Sequence, residues 1–92
     1  MSKPLFNLGQ VVGTPGGLAA LEQAGQEPLE FLQRHITGDW GDLVEEDKET
    51  NDRALGDGTR IFSAYHTVKK VKIWVITEAD RSATTILLPE EY

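Results

Sequence analysis

The stretch that decides the fold is the last third of the chain. It reads TRIFSAY at 59–65, VKIWVITEADRS at 71–82 and ATTILLPEEY at 83–92. β-Branched and aromatic residues dominate these three runs, and polar residues separate them, so the stretch predicts three strands joined by turns. Pro89 should end the last strand because proline has no ladder donor.

The middle run identifies the centre of the predicted sheet. Successive side chains of a strand point to opposite faces. Val71, Ile73 and Val75 therefore share one face, while Trp74 and Ile76 share the other. Since both faces are apolar, we expect this strand to be central and covered on both sides.

Upstream of this stretch, capping and helix-breaking residues predict a short strand and up to three helices. Thr14 and Pro15 open the first helix, which Gly25 ends. The predicted elements are a strand within Leu5–Val12, helices Pro15–Ala24 and Pro28–Ile36, and a charged third helix from Leu43 or Val44 to about Leu55.

Each of the first two helices should bury one apolar stripe. In the first, Leu18 and Leu21 lie on one face. In the second, Leu29, Leu32 and Ile36 have i, i+3, i+7 spacing.

The order β-α-α-α-β-β-β predicts a single α+β domain over residues 1–92. We expect a short N-terminal strand and two to three short helices packed on a three- to four-stranded antiparallel sheet. The first two helices can cover one apolar face of the middle strand, and the other face must be covered by the third helix, the N-terminal segment or a partner chain. A homodimer through an uncovered sheet face is therefore one expectation.

The formal net charge of −6 is unevenly distributed. Residues 1–58 hold four basic and eleven acidic side chains, whereas residues 59–92 hold five basic and four acidic ones. An acidic chain repels phosphate backbones, so nucleic-acid binding is disfavoured. The acidic N-terminal part favours a protein partner, and specifically a basic one.

The absence of cysteine excludes disulfides and thiolate metal sites and fits a cytoplasmic protein. No apolar run approaches the roughly 20 residues that span a bilayer. The N-terminus MSKPLFNLGQVV has no signal-peptide pattern. We expect no membrane attachment, no cofactor and no metal.

The most function-like polar residues lie in and after the turn between the last two strands. They are Glu78, Asp80, Arg81, Ser82, Thr84 and Thr85, and the neighbouring strand adds Arg60 and Tyr65. With Glu78 as base and an arginine as electrophile, such a set could stabilise a phosphoryl transition state. The favoured interpretation is structural: a carboxylate pairs with Arg81, Asp80 caps the turn and the threonines fill strand positions.

Two residues outside this turn are further candidates. His35 has the chemistry of a general acid or base, although a histidine in the last turn of a helix is also explained by the helix dipole. Trp40 lies between glycine–aspartate pairs and is a candidate binding residue, although a tryptophan in such a turn more often covers the core. The acids 45–47, with Asp39 and Asp42, lack calcium-loop spacing.

Several runs together resemble a known family. They are His35-x-x-Gly38-Asp39-Trp40-Gly41, Arg60-Ile-x-Ser63-Ala64-Tyr65, and the segment from Trp74 through Thr77-Glu78-Ala79-Asp80-Arg81-Ser82 to Pro89. Over almost the whole chain, the pattern is similar to a small, uncharacterised bacterial family of plasmid-related proteins. Its members occur on plasmids and integrative elements, so the resemblance implies a mobile-DNA setting and no defined activity.

The leading functional hypothesis is therefore a non-enzymatic accessory protein of mobile genetic elements that binds another macromolecule. The alternative is a small RNA-cleaving or RNA-binding domain of the barnase or RelE-like type. It would use the sheet end, with Arg60, Glu78 and Arg81, and this comparison rests on fold-level analogy.

Overall fold

The computed structural model describes Lys3–Tyr92; Met1 and Ser2, the first two residues of the predicted domain, lie outside the described residues. The elements are β1 (Gln10–Gly13), α1 (Pro15–Ala24), α2 (Pro28–Ile36), α3 (Glu45–Asp57), β2 (Ile61–His66), β3 (Lys72–Thr77), β4 (Ala83–Leu87) and a 3₁₀ turn (Pro89–Glu91). This order confirms the predicted α+β class.

The four strands form one sheet in the order β1-β4-β3-β2. β3 pairs antiparallel with both neighbours, so it is an interior strand. β1 instead joins β4 in parallel, with Val11 opposite Thr84, which makes the sheet mixed. Parallel neighbours need a long crossover, and the intervening helices and hairpin provide one.

The first helix begins as its sequence predicts. Thr14 Oγ1 accepts a hydrogen bond from the Gly17 amide at 3.1 Å, and Gly25 ends the helix at φ +67°. A Cβ on Gly17 would lie 2.8 Å from the Ile86 carbonyl oxygen. The glycine that weakens this helix start therefore allows α1 to approach the backbone of β4 closely.

α1 and α2 cover one face of the sheet, here called the helix side. The core between the helices and the sheet consists of Ala20, Leu21, Phe31, Leu32, Tyr65, Ile73, Val75 and Ile86. The predicted stripes were shifted: Leu18 and Leu29 are 45% and 59% exposed, and α2 instead buries Phe31, Leu32 and His35. The buried face of α2 thus includes His35, a polar residue that the apolar spacing did not select.

α3 lies against the edge of β2. Ala54 and Ile61 are buried with Trp40 in a second cluster. The Asn51 side chain donates to the Phe62 carbonyl and accepts from the Phe62 amide at 3.1 Å. α3 therefore covers the helix side and the edge of the sheet, and it does not cover the second face of β3.

Backbone on both sides of Gly41 protects the same edge further along. The Asp42 amide donates to the Ala64 carbonyl at 2.7 Å, and the Ala64 amide donates to the Trp40 carbonyl at 3.1 Å. Unpaired strand edges invite pairing with other chains. The outer backbone N–H and C=O groups of Phe62 and Ala64 are therefore all hydrogen-bonded, which closes the edge of β2 at these two residues.

The second face of the sheet, here called the open face, is covered by none of the three α-helices that the structure describes. Strand pairing places Phe62, Trp74, Ile76 and Thr85 on it. The C-terminal segment, rather than α3, crosses part of it: the Tyr92 ring lies 5.8 Å from the Trp74 ring. The open face is therefore apolar, aromatic and only partly covered.

Candidate functional site

The candidate catalytic and binding residues are dispersed over the fold. Trp40 and Tyr65 are buried on the helix side. Arg60 lines a pocket on the open face, and Glu78 is an exposed residue of the β3–β4 turn. These side chains do not surround a common cavity.

Arg81 serves as a backbone clamp. Its guanidinium donates to the carbonyl oxygens of Thr59 at 2.7 Å, Ala54 at 3.0 Å, and Glu78 and Ala79 at 3.1 Å each. It joins the end of α3 to the β3–β4 turn. Its donors therefore bind carbonyls rather than the carboxylate that the sequence suggested.

The other polar residues of this turn have mainly local roles. Asp80 accepts from the Ser82 amide at 3.0 Å, which caps the turn. Hydrogen bonding to the Ser82 side chain, and then to its amide, lowers the pKa of Asp80. Thr84 is fully buried on the helix side, whereas Thr85 is half-buried on the open face. The set is split between the two faces of the sheet.

His35 belongs to a buried hydrogen-bond chain. Its Nδ1 lies 2.6 Å from Ser63 Oγ and its Nε2 lies 2.9 Å from Thr77 Oγ1. Thr77 Oγ1 lies 2.7 Å from Thr84 Oγ1, which donates to the Leu8 carbonyl at 2.7 Å. All four side chains are inaccessible to solvent.

The bond from Thr84 to the Leu8 carbonyl fixes the direction of each hydrogen bond as far back as His35 Nε2. Because Thr84 gives its proton to a carbonyl, it must accept from Thr77, which in turn must accept from His35 Nε2–H. The network therefore requires a proton on His35 Nε2. With a neutral imidazole, Nδ1 is unprotonated and accepts from the Ser63 hydroxyl.

The environment of His35 agrees with this protonation state. Burial lowers its pKa from the ordinary value of 6.5 to about 3. Ser63 and His35 are placed like a nucleophile and its base, but neither contacts solvent. This chemistry therefore cannot reach a substrate, and the network fixes α2 to the sheet.

Trp40 is 4% exposed, and its Nε1 donates to Asp52 at 3.1 Å. Its ring lies 6.0 Å from His35 and 6.4 Å from Phe6. Trp40 thus packs the second cluster against the buried network.

Tyr65 closes the core beside a surface ion pair. Its hydroxyl donates to the Asp39 carbonyl at 2.7 Å, and the Arg34 guanidinium lies 4.5 Å from its ring centre. Burial raises the pKa of Tyr65 above its usual range. The hydrogen bond from Arg34, at 2.7 Å, lowers the pKa of Asp39. An open cavity of about 560 Å³ lies against Arg34 and Asp39.

A pocket of about 190 Å³ lies on the open face. It is lined by Arg60, Phe62, Trp74, Ile76 and Tyr92. The Trp74 ring stands edge-on to its neighbours, 5.0 Å from Phe62 and 5.8 Å from Tyr92. Arg60 donates to the Tyr92 hydroxyl and lies 5.4 Å from the Tyr92 ring centre.

The indole N–H of Trp74 is exceptional within Lys3–Tyr92. It is buried, and the described residues offer it no hydrogen-bond acceptor. An unpaired buried donor costs roughly 1–3 kcal/mol. Arg60 is exposed and forms no ion pair within the same residues. Two residues that line one pocket therefore carry unsatisfied groups: the shielded indole N–H of Trp74, and the guanidinium of Arg60, which has no carboxylate partner.

The C-terminal segment that completes the pocket is tied to α1. The Glu91 carboxylate accepts from the Gly16 amide at 3.0 Å and the Leu88 amide at 2.8 Å, and also from the Thr14 hydroxyl. These bonds, that from Thr14 above all, lower the pKa of Glu91. They hold Tyr92 beside Trp74, although Tyr92 is 65% exposed.

The acidic residues near Trp40 have separate roles. Asp39 pairs with Arg34, and Asp42 lies 2.6 Å from His66 Nδ1. The acids at 45–47 occupy the first turn of α3, where the helix dipole stabilises them. Within the described residues no cluster of histidine and carboxylate groups suits a metal.

Comparisons with protein-family models, curated proteins and solved structures found no match. Among the helices of Lys3–Tyr92, none combines the length and apolar character needed to cross a bilayer.

The sequence reasoning included Arg60 but missed the pocket around it. Alternation had already placed Trp74 on a face without an assigned cover, which was a usable signal. Tyr92 gave no such signal, because its position depends on bonds from Glu91 to α1, 75 residues away at Gly16.

Proposed function

We propose that the chain is a non-enzymatic accessory protein of mobile genetic elements that binds a protein partner through the open face. The buried Trp74 N–H carries this proposal, since a partner can supply the acceptor that the described residues lack, and Arg60 lines the same pocket. Tryptophan, tyrosine and arginine are also the residues most enriched at binding hot spots. The mobile-element setting rests on the sequence resemblance.

We propose that this partner is basic, because the net charge of the chain is −6. The exposed acids of α3 would provide the long-range attraction. α3 lies at the edge of β2 and on the helix side. This attraction would therefore act from a surface different from the pocket.

Site-specific photocrosslinking in cells tests the proposal. Thr85→p-benzoylphenylalanine places the crosslinker on the open face, and Gln23→p-benzoylphenylalanine places it on an exposed position of α1. We expect a discrete protein adduct from position 85 and none from position 23. Equal labelling at both positions, or the absence of a protein adduct at 85, would refute the open-face proposal.

RNA binding is the second candidate, because Phe62 and Trp74 offer aromatic surfaces on which bases could stack. An RNA adduct at position 85 would favour it. Its nuclease version predicts growth arrest on induction that Glu78→Ala or Arg81→Ala abolishes. Harmless overexpression of the unaltered chain would contradict that version.

A homodimer through the open face is a third arrangement. Sedimentation across a hundredfold concentration range measures it. A mass that rises with concentration in the unaltered chain but not in Trp74→Ala would show that a second copy of the chain, rather than another protein, binds the open face.

A further inference from the structure

We propose that the pocket on the open face recognises a carboxylate next to an apolar side chain in a peptide segment of the partner. The inference rests on the proposed function and specifies its chemistry. It assigns an acidic recognition element to a chain whose net charge of −6 favours a basic one.

The donors of the pocket favour an anion with more than one oxygen. Trp74 Nε1–H is a donor only, and the Arg60 guanidinium has several donors and no acceptor. A carboxylate can accept from both, and its bonds to a guanidinium are strengthened by charge. Among the described residues, Arg60 has the Tyr92 hydroxyl as its hydrogen-bond partner and pairs with no carboxylate.

The walls of the pocket favour an apolar group beside that anion. Phe62, Trp74 and Ile76 are among the five residues that line it, and the lining is mostly apolar. A cavity of about 190 Å³ is smaller than the usual small-molecule site of roughly 300–1,000 Å³. It suits one or two side chains of a longer segment.

Charge distinguishes this segment from a nucleic acid. Arg60 is the one cation among the five residues that line the pocket. Glu90 and Glu91 lie in the adjoining 3₁₀ turn. One anion is therefore attracted, whereas the successive phosphates of a strand would meet like charge.

Tyr92 controls access to the indole. Trp74 Nε1 is shielded from solvent, so an acceptor reaches it only after a wall of the pocket moves. Tyr92 is the wall assigned to move, because its side chain is 65% exposed. The Tyr92 ring is not part of the helix-side core.

Two capped peptides test the inference: Ac-Ala-Phe-Glu-Ala-NH₂ and its glutamine counterpart. The measurement is the ¹⁵N–¹H shift of the Trp74 indole, assigned with Trp74→Phe. We expect the glutamate peptide to shift this signal at a concentration about tenfold lower than the glutamine peptide needs, the factor for losing one charge-assisted bond. Arg60→Gln should abolish the preference, while Arg53→Gln, an exposed change on α3, should retain it.

Equal titrations of the two peptides, or no shift with either, would overturn the inference. So would tighter binding of a ten-nucleotide oligouridylate, which would indicate a nucleic-acid site. A protein adduct at position 85 without peptide selectivity would reject only the carboxylate chemistry. The absence of a protein adduct at position 85 would reject the proposed function as well.

Discussion

The buried His35 network makes the stability of the fold depend on pH in a defined direction. The pKa of His35 falls from 6.5 to about 3 on folding, so below pH 6.5 the unfolded chain binds a proton that the folded chain excludes. Stability is therefore fully present above pH 6.5 and is lost as the pH falls toward 3. The loss approaches about 1.4 kcal/mol per pH unit.

Between pH 7.5 and pH 5 this difference amounts to about 2 kcal/mol. That is a large fraction of the roughly 5–15 kcal/mol by which a domain is stable. The window also lies above the range in which Asp39, Asp80 and Glu91, whose pKa values are lowered, gain protons. The histidine can thus be observed separately from the carboxylates.

The assay is urea unfolding at half-unit pH intervals from 7.5 to 5. His35→Gln should be less stable at pH 7.5, and the gap should narrow toward pH 5 because the variant loses the His35-dependent fall. His66→Gln keeps the buried network and is the matched control. A fall of less than about 0.5 kcal/mol in the unaltered chain, or the same fall in His35→Gln, would refute the reasoning.

Three further substitutions test the contacts that hold the fold, each by urea unfolding. Thr77→Val removes the acceptor of His35 Nε2–H and should cost about 1–3 kcal/mol, whereas Thr85→Val, half-buried on the open face, should cost much less; equal losses would contradict the assigned protons. Arg81→Met removes the clamp on four carbonyls and should cost at least about 2 kcal/mol, and an unchanged midpoint would show the clamp to be dispensable. Asn51→Ala opens the edge of β2 and should cost about 2 kcal/mol and raise light scattering, and unchanged stability and scattering would contradict its protective role.

Local signals were sufficient for most of the elements. The Thr14–Pro15 start and the Gly25 end placed α1 at its observed bounds, and the apolar alternation around Trp74 identified the interior strand. These features depend on neighbouring residues, so the sequence displays them directly. The parallel pairing of β1 depends on contacts more than 70 residues apart and has no local signature.

The candidate site was harder to predict for the same reason. A histidine at a helix end looks accessible when only its own helix is considered, yet Ser63 and Thr77 complete its bonding from two strands. The many polar residues of the β3–β4 turn suggested a functional site, but Arg81 donates its hydrogen bonds to backbone carbonyls. The open-face pocket forms because Tyr92 lies beside Trp74. Sequence alternation placed Trp74 on this face, but it carried no information about Tyr92.

The two edges of the sheet are unequal, and this limits how copies of the chain can add to one another. Asn51 and the backbone around Gly41 close the β2 edge, while β1 has β4 as its one strand neighbour. A ribbon that grows without limit needs two receptive edges on every copy. Strand-to-strand addition through β1 therefore ends at a pair, so this sheet resists fibre formation even when β1 is fully available.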